Sequence, residues 1–297
     1  MKTREELKQS PALTMLLAGF ANFFLGLSSL YWREFRDISP TTIVAYRIIL
    51  SAATLILFFT LLKHMRPQKI FNLSSITLHC IASFFVAINW GAFIGSSING
   101  YFLESAIGYL LAPFISIIGG AIMYHEPLNL RKLTLTIIAL ALTTALIIFN
   151  DNLNHLTYLT ISTSWGFYTY IKKKSSLNAI NGLFIETLFL TTGLITAIYL
   201  FSFPVPWPSK LPSQSGVLIW LAGAVSVAPL LMFSHATGKL PLSLTGFLQF
   251  ILPLTLTVIG VFFYQEVAST TALASTIAII SILITLLAYD TLKTRPP

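Results

Sequence analysis

Ten stretches of about 20 apolar residues run through the chain with short polar breaks between them, and that is the length an α-helix needs to cross the hydrocarbon core of a bilayer. They fall at approximately 11–32, 41–62, 76–97, 101–123, 131–149, 155–171, 181–201, 216–236, 242–264 and 270–289. Lipid offers no partner to an exposed backbone N–H or C=O, so spans of this kind fold as helices. The expected fold class is an all-α membrane protein of ten transmembrane helices. The sixth span is the weakest, because it is short and carries Thr157, Thr160, Ser162, Thr163, Ser164 and Thr169. The first is long enough to span and lacks a small-residue cleavage pattern, so it reads as a retained helix.

Charge supports this reading by its scarcity and by its position. Only 9% of the 297 residues are charged and 55% are hydrophobic, whereas a soluble domain carries about a quarter charged. The net charge of +8 would by itself suggest a nucleic-acid partner. Its placement points instead to the positive-inside rule. With the N-terminus in the cytoplasm, 14 Lys and Arg residues fall on inner segments, Lys172, Lys173 and Lys174 among them. Arg33, Arg36 and Lys210 fall outside, and Arg47 lies within a span. Both termini are therefore expected in the cytoplasm of a multi-pass protein of the bacterial inner membrane, with no nucleic acid as partner.

The spans repeat. Pro113, Gly120, Tyr124 and Glu126 of the fourth stand at an offset of 140 from Pro253, Gly260, Tyr264 and Glu266 of the ninth. Glycine-aromatic pairs, Gly108-Tyr109 and Gly246-Phe247, precede them. Five helices per half is an odd number, so the second half is expected to lie inverted in the membrane. Residues 1–150 form one five-helix repeat and 151–297 the other. Pro113 and Pro253, each near mid-span, remove a backbone hydrogen bond and read as hinges at a central cavity, with a packing kink as the alternative.

Ionisable groups inside a bilayer are costly, so each needs a reason. Arg47 and Glu186 lie at nearly equivalent repeat positions, each about 9 Å below its own face at 1.5 Å per residue. Those faces are opposite, which separates the two by roughly 10–15 Å in depth across a core of about 30 Å and precludes a salt bridge. Arg47 is read as guarding the outer vestibule, with snorkelling to the headgroups as the alternative. Glu186 is read as guarding the inner one and as a candidate proton-coupling group, with a structural hydrogen bond as the alternative. Glu104 complements the N-terminal dipole of its helix. His79 and His235 are expected at the cytoplasmic interface, and Cys80 is expected as a buried structural thiol.

A polar and aromatic set near mid-span completes the expected substrate site: Asn89, Trp90, Tyr109, Trp165, Tyr168, Glu186 and Gln249. An amide gains nothing from lipid, so Asn89 and Gln249 either join helices or line a wet cavity. In the sixth span Tyr158, Ser162, Trp165 and Thr169 recur at helical spacing and should look inward. Aromatics with few charges suit a neutral, zwitterionic or amphipathic small molecule. No His, Cys or carboxylate stands at i+3 or i+4 from either histidine to form a metal site, and no GxxxxGK[ST] loop, H-E-x-x-H or G-x-S-x-G motif is present. No cofactor, no metal and no catalytic residue is expected.

The chain resembles the EamA branch of the drug/metabolite transporter superfamily, and within it the RarD-type permeases. The likeness rests on Tyr46-Arg47, Asn89-Trp90, the stretch Leu103 to Tyr109 leading to Pro113, Ile185-Glu186-Thr187 and Pro229-Leu230-Leu231. It continues through Gly246-Phe247-Leu248-Gln249, Pro253 and Tyr264-Gln265-Glu266. Helix one departs from the family pattern, with Leu25-Gly26 in place of a Trp-Gly pair and Ser29 in place of a proline. The resemblance implies two EamA-like repeats and a secondary carrier that exports or exchanges amino acids, related metabolites or amphipathic drugs. Uptake of a metabolite is the alternative, with an intramembrane enzyme or a channel further off. Arg47, Glu186, Pro113 and Pro253 are the residues read as gating or coupling, and protons are the candidate coupling ion.

Overall fold

The computed structural model describes residues 11–61, 72–150 and 153–264, together with Ala278. All its described regular elements are helical: α1 Pro11–Arg33, α2 Pro40–Leu61, α3 Leu73–Asn99, α4 Phe102–Met123, α5 Leu130–Ile148, α6 His155–Lys174 and α7 Ala179–Phe201. The eighth apolar run becomes α8 Ser213–Leu218, a 3-10 turn at Ile219–Leu221 and α9 Ala222–Lys239. The ninth becomes α10 Leu242–Gln249 and α11 Ile251–Phe263. The tenth run, and with it Gln265 and Glu266, lies outside the described residues.

Asparagine starts the helices. Asn72, Asn129, Asn154 and Asn178 stand at the N-caps of α3, α5, α6 and α7, and each side chain accepts a hydrogen bond from a backbone N–H of the first turn. Such a bond satisfies one of the orphan donors at a helix start. Gly100 ends α3 in the left-handed region at φ 79°, a conformation that glycine adopts without strain.

The two mid-span prolines act differently. Pro113 sits inside a continuous α4, whereas the chain breaks at Phe250, three residues before Pro253. A proline lacks the N–H that would bond to the carbonyl four residues earlier, here that of Gln249.

Among the described residues, eight helical segments are long and apolar enough to cross a membrane. The 20-residue α6 falls short on composition because of its hydroxyl-bearing residues. Its inner face is nevertheless as expected, with Tyr158, Ser162, Trp165 and Thr169 all buried. α5 buries only Thr136, Ala139, Thr143 and Leu146, one stripe at helical spacing, and turns the rest outward. Leu16, Phe20, Phe84, Ile137 and Tyr199 are likewise exposed on the bundle surface. Apolar exposure on that scale suits lipid contact and would be a liability in water.

The helices of the two halves interleave. α1 and α2 both pack on α9, and α3 packs on both α6 and α7; α1 lies along α10 and α11, and α6 along α4; α2 meets α7, and α4 meets α10 and α11. Glycines permit close crossings between the halves. A Cβ on Gly108 of α4 would lie 2.8 Å from the Ile161 Cβ of α6, and one on Gly26 of α1 would lie 2.7 Å from the Thr255 Cβ of α11. Small residues at such crossings let backbones approach closely enough for van der Waals attraction to hold helices together in lipid.

Candidate functional site

Five of the expected site residues meet at the centre of the bundle. Arg47, Asn89, Trp90, Tyr109 and Trp165 line one enclosed cavity together with Leu25, Phe93 and Leu252. Its free volume is about 10 Å³, room for about one water. The Tyr109 hydroxyl donates to Asn89 Oδ1 at 2.9 Å, and Asn89 Nδ2 donates to Ser164 Oγ at 3.2 Å, which ties α3 to α4 and α6. Tyr109 sits edge-on to Phe93 and to Trp165 at 5.6 and 6.0 Å between ring centres.

Arg47 is enclosed in this conformation, facing neither an open vestibule nor the bundle surface. It is 2% exposed, its guanidinium carbon lies 4.0 Å from the centre of the Trp90 ring and 4.8 Å from that of Trp32, and its Nε and Nη1 have no hydrogen-bond partner. The Trp165 indole N–H in the same cavity is also unpartnered.

Glu186 belongs to a second cluster. Its Oε1 receives Lys172 Nζ at 2.8 Å and His79 Nδ1 at 2.6 Å, and its Oε2 receives the Tyr168 hydroxyl at 3.0 Å. His79 Nε2 reaches Ser175 Oγ at 2.8 Å. Glu186 is 0% exposed, so it faces no open vestibule in this conformation. Arg47 and Glu186 make no ion pair with each other, in line with the depth argument. Trp165 connects the clusters, lining the first and standing 5.5 Å from the Tyr168 ring of the second.

Two partners of Glu186 were missed. His79 was expected at the interface and is 0% exposed. Lys172, Lys173 and Lys174, expected on an inner segment beyond the sixth span, form the last turn of α6, and Lys172 is 4% exposed. A usable signal existed: a carboxylate inside a span requires a cation at similar depth, and Lys172 follows Tyr168 by four residues on one helical face. Cys80 also departs from expectation, being exposed next to the inward-facing His79; one residue turns an α-helix by about 100°, enough to face lipid. Glu104 lies in the first turn of α4 as expected, but its Oε1 accepts from the Asn154 backbone N–H at 3.2 Å.

Gln249 ends α10, and its Nε2 reaches Ser116 Oγ at 3.4 Å and Thr169 Oγ1 at 3.3 Å while Oε1 is unpartnered. It joins α4, α6 and α10 rather than lining the cavity. Pro113 borders this junction at the helix crossing with Gly246, where a Cβ would lie 3.0 Å from the Pro113 carbonyl oxygen, and Pro253 follows Gln249 by four residues on α11. No cluster of three or more His, Cys, Asp or Glu residues that could hold a metal occurs among the described residues.

Contacts tie the helices together at both ends of the bundle. At one, the Arg33 guanidinium stacks 3.9 Å from the Tyr264 ring centre and 5.0 Å from that of Phe102, and the Tyr46 hydroxyl donates to the Pro206 carbonyl. At the other, Glu126 accepts the Leu242 and Ser243 backbone N–H groups at 2.6 and 2.8 Å, and Lys173 Nζ donates to the Leu240 carbonyl at 2.6 Å.

No family model matches the chain. It is similar to an uncharacterized transporter, YojE, of Bacillus subtilis, at 32% identity over 81% of this chain and 82% of that one. An uncharacterized transporter of Vibrio cholerae is 30% identical over 94% of this chain and 93% of its own. Protein RarD of Escherichia coli is 28% identical over 85% and 86%. One solved crystal structure shares the fold at a TM-score of 0.66, over 92% of this chain and 98% of its own, with 14% identity. A multi-pass bundle with its polar groups turned inward and transporters as relatives is a membrane transporter. The chain belongs to the RarD-type permeases of the drug/metabolite transporter superfamily.

Proposed function

We propose that the chain is a secondary carrier of a small metabolite, working by alternating access between two inverted five-helix repeats, residues 1–150 and 151–297. The tenth apolar run completes the second repeat, and both termini lie in the cytoplasm. The carrying observation is the exchange pattern of helix neighbours. Swapping α1 with α6, α2 with α7, α3 with α9 and α4 with α10–α11 turns each of the main inter-half pairings into another or into itself. The α1–α9 pairing becomes α6–α3, α2–α9 becomes α7–α3, and α1–α11 becomes α6–α4; α2–α7 and α4 with α10–α11 return themselves. Carrier sites lie near the midplane at such a repeat interface, and the Arg47 cavity, lined from α1 to α4 and from α6 and α11, supports this reading.

In this reading the clamps at the two ends open in turn. Arg33 and Tyr264 close the outer end, and Glu126 and Lys173 the inner one. Export or exchange of amino acids, related metabolites or amphipathic drugs is the activity supported by the family, and the Glu186 cluster is the place for proton coupling. Counterflow in proteoliposomes tests it, with a panel of labelled amino acids and chloramphenicol. Unlabelled substrate inside should accelerate entry of label. Passive equilibration with no trans-acceleration would indicate a channel, and chemical change of the label an enzyme.

A further inference from the structure

Arg47 and Glu186 hold comparable places in their halves yet are treated in opposite ways. Glu186 accepts from Lys172, His79 and Tyr168, while the equally buried Arg47 has two aromatic faces and unpartnered donors at Nε and Nη1. A buried charge is ordinarily paired and hydrogen-bonded, because removing it from water is costly. Aromatic faces attract a guanidinium but accept no in-plane N–H bond.

We propose that the cavity receives the carboxylate of a monoanionic substrate on Arg47, with the substrate's apolar or aromatic body against Trp90, Phe93 and Trp165. The planar guanidinium matches a carboxylate, and Trp165, which lines the same cavity, carries an unpartnered indole N–H as a further donor. One cation answers one negative charge, and among the described residues Arg47 is the only Lys or Arg lining the cavity, so a phosphate dianion would be undercompensated. No carboxylate among the described residues lines it, so a substrate ammonium would have no counter-charge from them. The net monoanion is therefore favoured over a zwitterion. The proposal rests on the carrier reading only in requiring that the cavity widens to admit a molecule.

The test uses the full chain in lipid nanodiscs, with intrinsic tryptophan fluorescence and the thermal midpoint as readouts. The probes are acetate, hexanoate, benzoate and phenylacetate, each beside its primary amide, with L-phenylalanine as the zwitterion. The larger carboxylates should quench fluorescence and raise the midpoint, while their amides and L-phenylalanine do so weakly. Arg47→Gln should weaken carboxylate binding at least about tenfold, the loss of a charge-assisted pair, and Arg47→Lys should weaken it less. Without probe, the Arg47→Gln midpoint should hold or rise, since an unpaired charge has gone. The proposal is overturned if no carboxylate acts on the wild type, if amides or L-phenylalanine act equally, or if Arg47→Gln retains binding or lowers the probe-free midpoint. Exchange of labelled phenylacetate in proteoliposomes separates the two readings. Binding without exchange removes the carrier and leaves the site; exchange of amides without carboxylate binding removes the site and leaves the carrier.

Discussion

Lys172 and Glu186 form an ion pair at 2.8 Å with both side chains sealed from solvent, joining the last turn of α6 to the second turn of α7. Their helices are consecutive, so the pair fixes how α6 and α7 are rotated about their own axes. His79 adds α3 to the same carboxylate at 2.6 Å.

This pairing predicts a strongly non-additive mutant cycle. Removing one member of a buried pair leaves an uncompensated charge, at a cost of about 3–5 kcal/mol. Lys172→Met alone should sharply lower the thermal midpoint of the purified protein, and Glu186→Gln alone should lower it as well. The double variant should recover much of the loss, because no buried charge is left over. Additive losses would show that the pair is not energetically coupled.

Coupling can be separated from mere adhesion by transport. If Glu186 exchanges a proton during the cycle, the double variant Glu186→Gln with Lys172→Gln should keep substrate counterflow and lose its response to an imposed pH gradient. The other titratable groups at the carboxylate are His79 on α3 and Tyr168 on α6, so His79→Gln is the companion variant. An unchanged pH response in both would remove this cluster from energy coupling.

Topology has its own test. The 14-to-3 bias of basic residues predicts that Asn152, between the fifth and sixth apolar runs of the sequence, lies outside the cell. A cysteine there should react with an impermeant thiol reagent on intact cells. Cys80 is exposed on α3 and must first be replaced. Labelling that appears only after membrane disruption would reverse the orientation.

The crossing of α4 with α10 should tolerate no added bulk. A Cβ on Gly246 would stand 2.9 Å from Ile117 Cγ1 and 3.0 Å from the Pro113 carbonyl oxygen. Gly246→Ala should therefore cost about 1–3 kcal/mol by overpacking. Gly91→Ala on α3 is the control, since nothing lies within 4 Å of its added Cβ. Its midpoint should stay level or rise, because alanine favours a helix over glycine. Equal midpoints for the two variants would discount the crossing as a contact.

The Glu126 clamp should hold the start of α10. Its carboxylate accepts two backbone N–H groups there, and bonds to a charged acceptor contribute about 1.5–3 kcal/mol each. Glu126→Ala should lower the midpoint, and Glu126→Gln, which keeps one acceptor oxygen, should lower it less. Equal behaviour of the two variants would show that the bonds at Leu242 and Ser243 contribute little.

Helix positions were legible because crossing a bilayer is a local demand. A run of about 20 apolar residues can be read without knowing its neighbours, and α1 to α5 begin and end within a few residues of their expected bounds. The amphipathic face of α6 was legible for the same reason, as a period along one helix. The gathering of Asn89, Trp90, Tyr109 and Trp165 around one space was also anticipated, because polar and aromatic groups in mid-span have few other uses. Partner choice was not legible. Lys172, Lys173 and Lys174 are identical in sequence, yet one is buried on Glu186, one donates to the Leu240 carbonyl and one is exposed. Steps of about 100° send neighbouring side chains to different faces, and what each face meets depends on helix rotation and on segments a hundred residues away. The same holds for Arg47, whose chemical type and span were plain from the chain. Only the packed bundle decided that its neighbours would be the rings of Trp32 and Trp90 and that no carboxylate among the described residues would line its cavity.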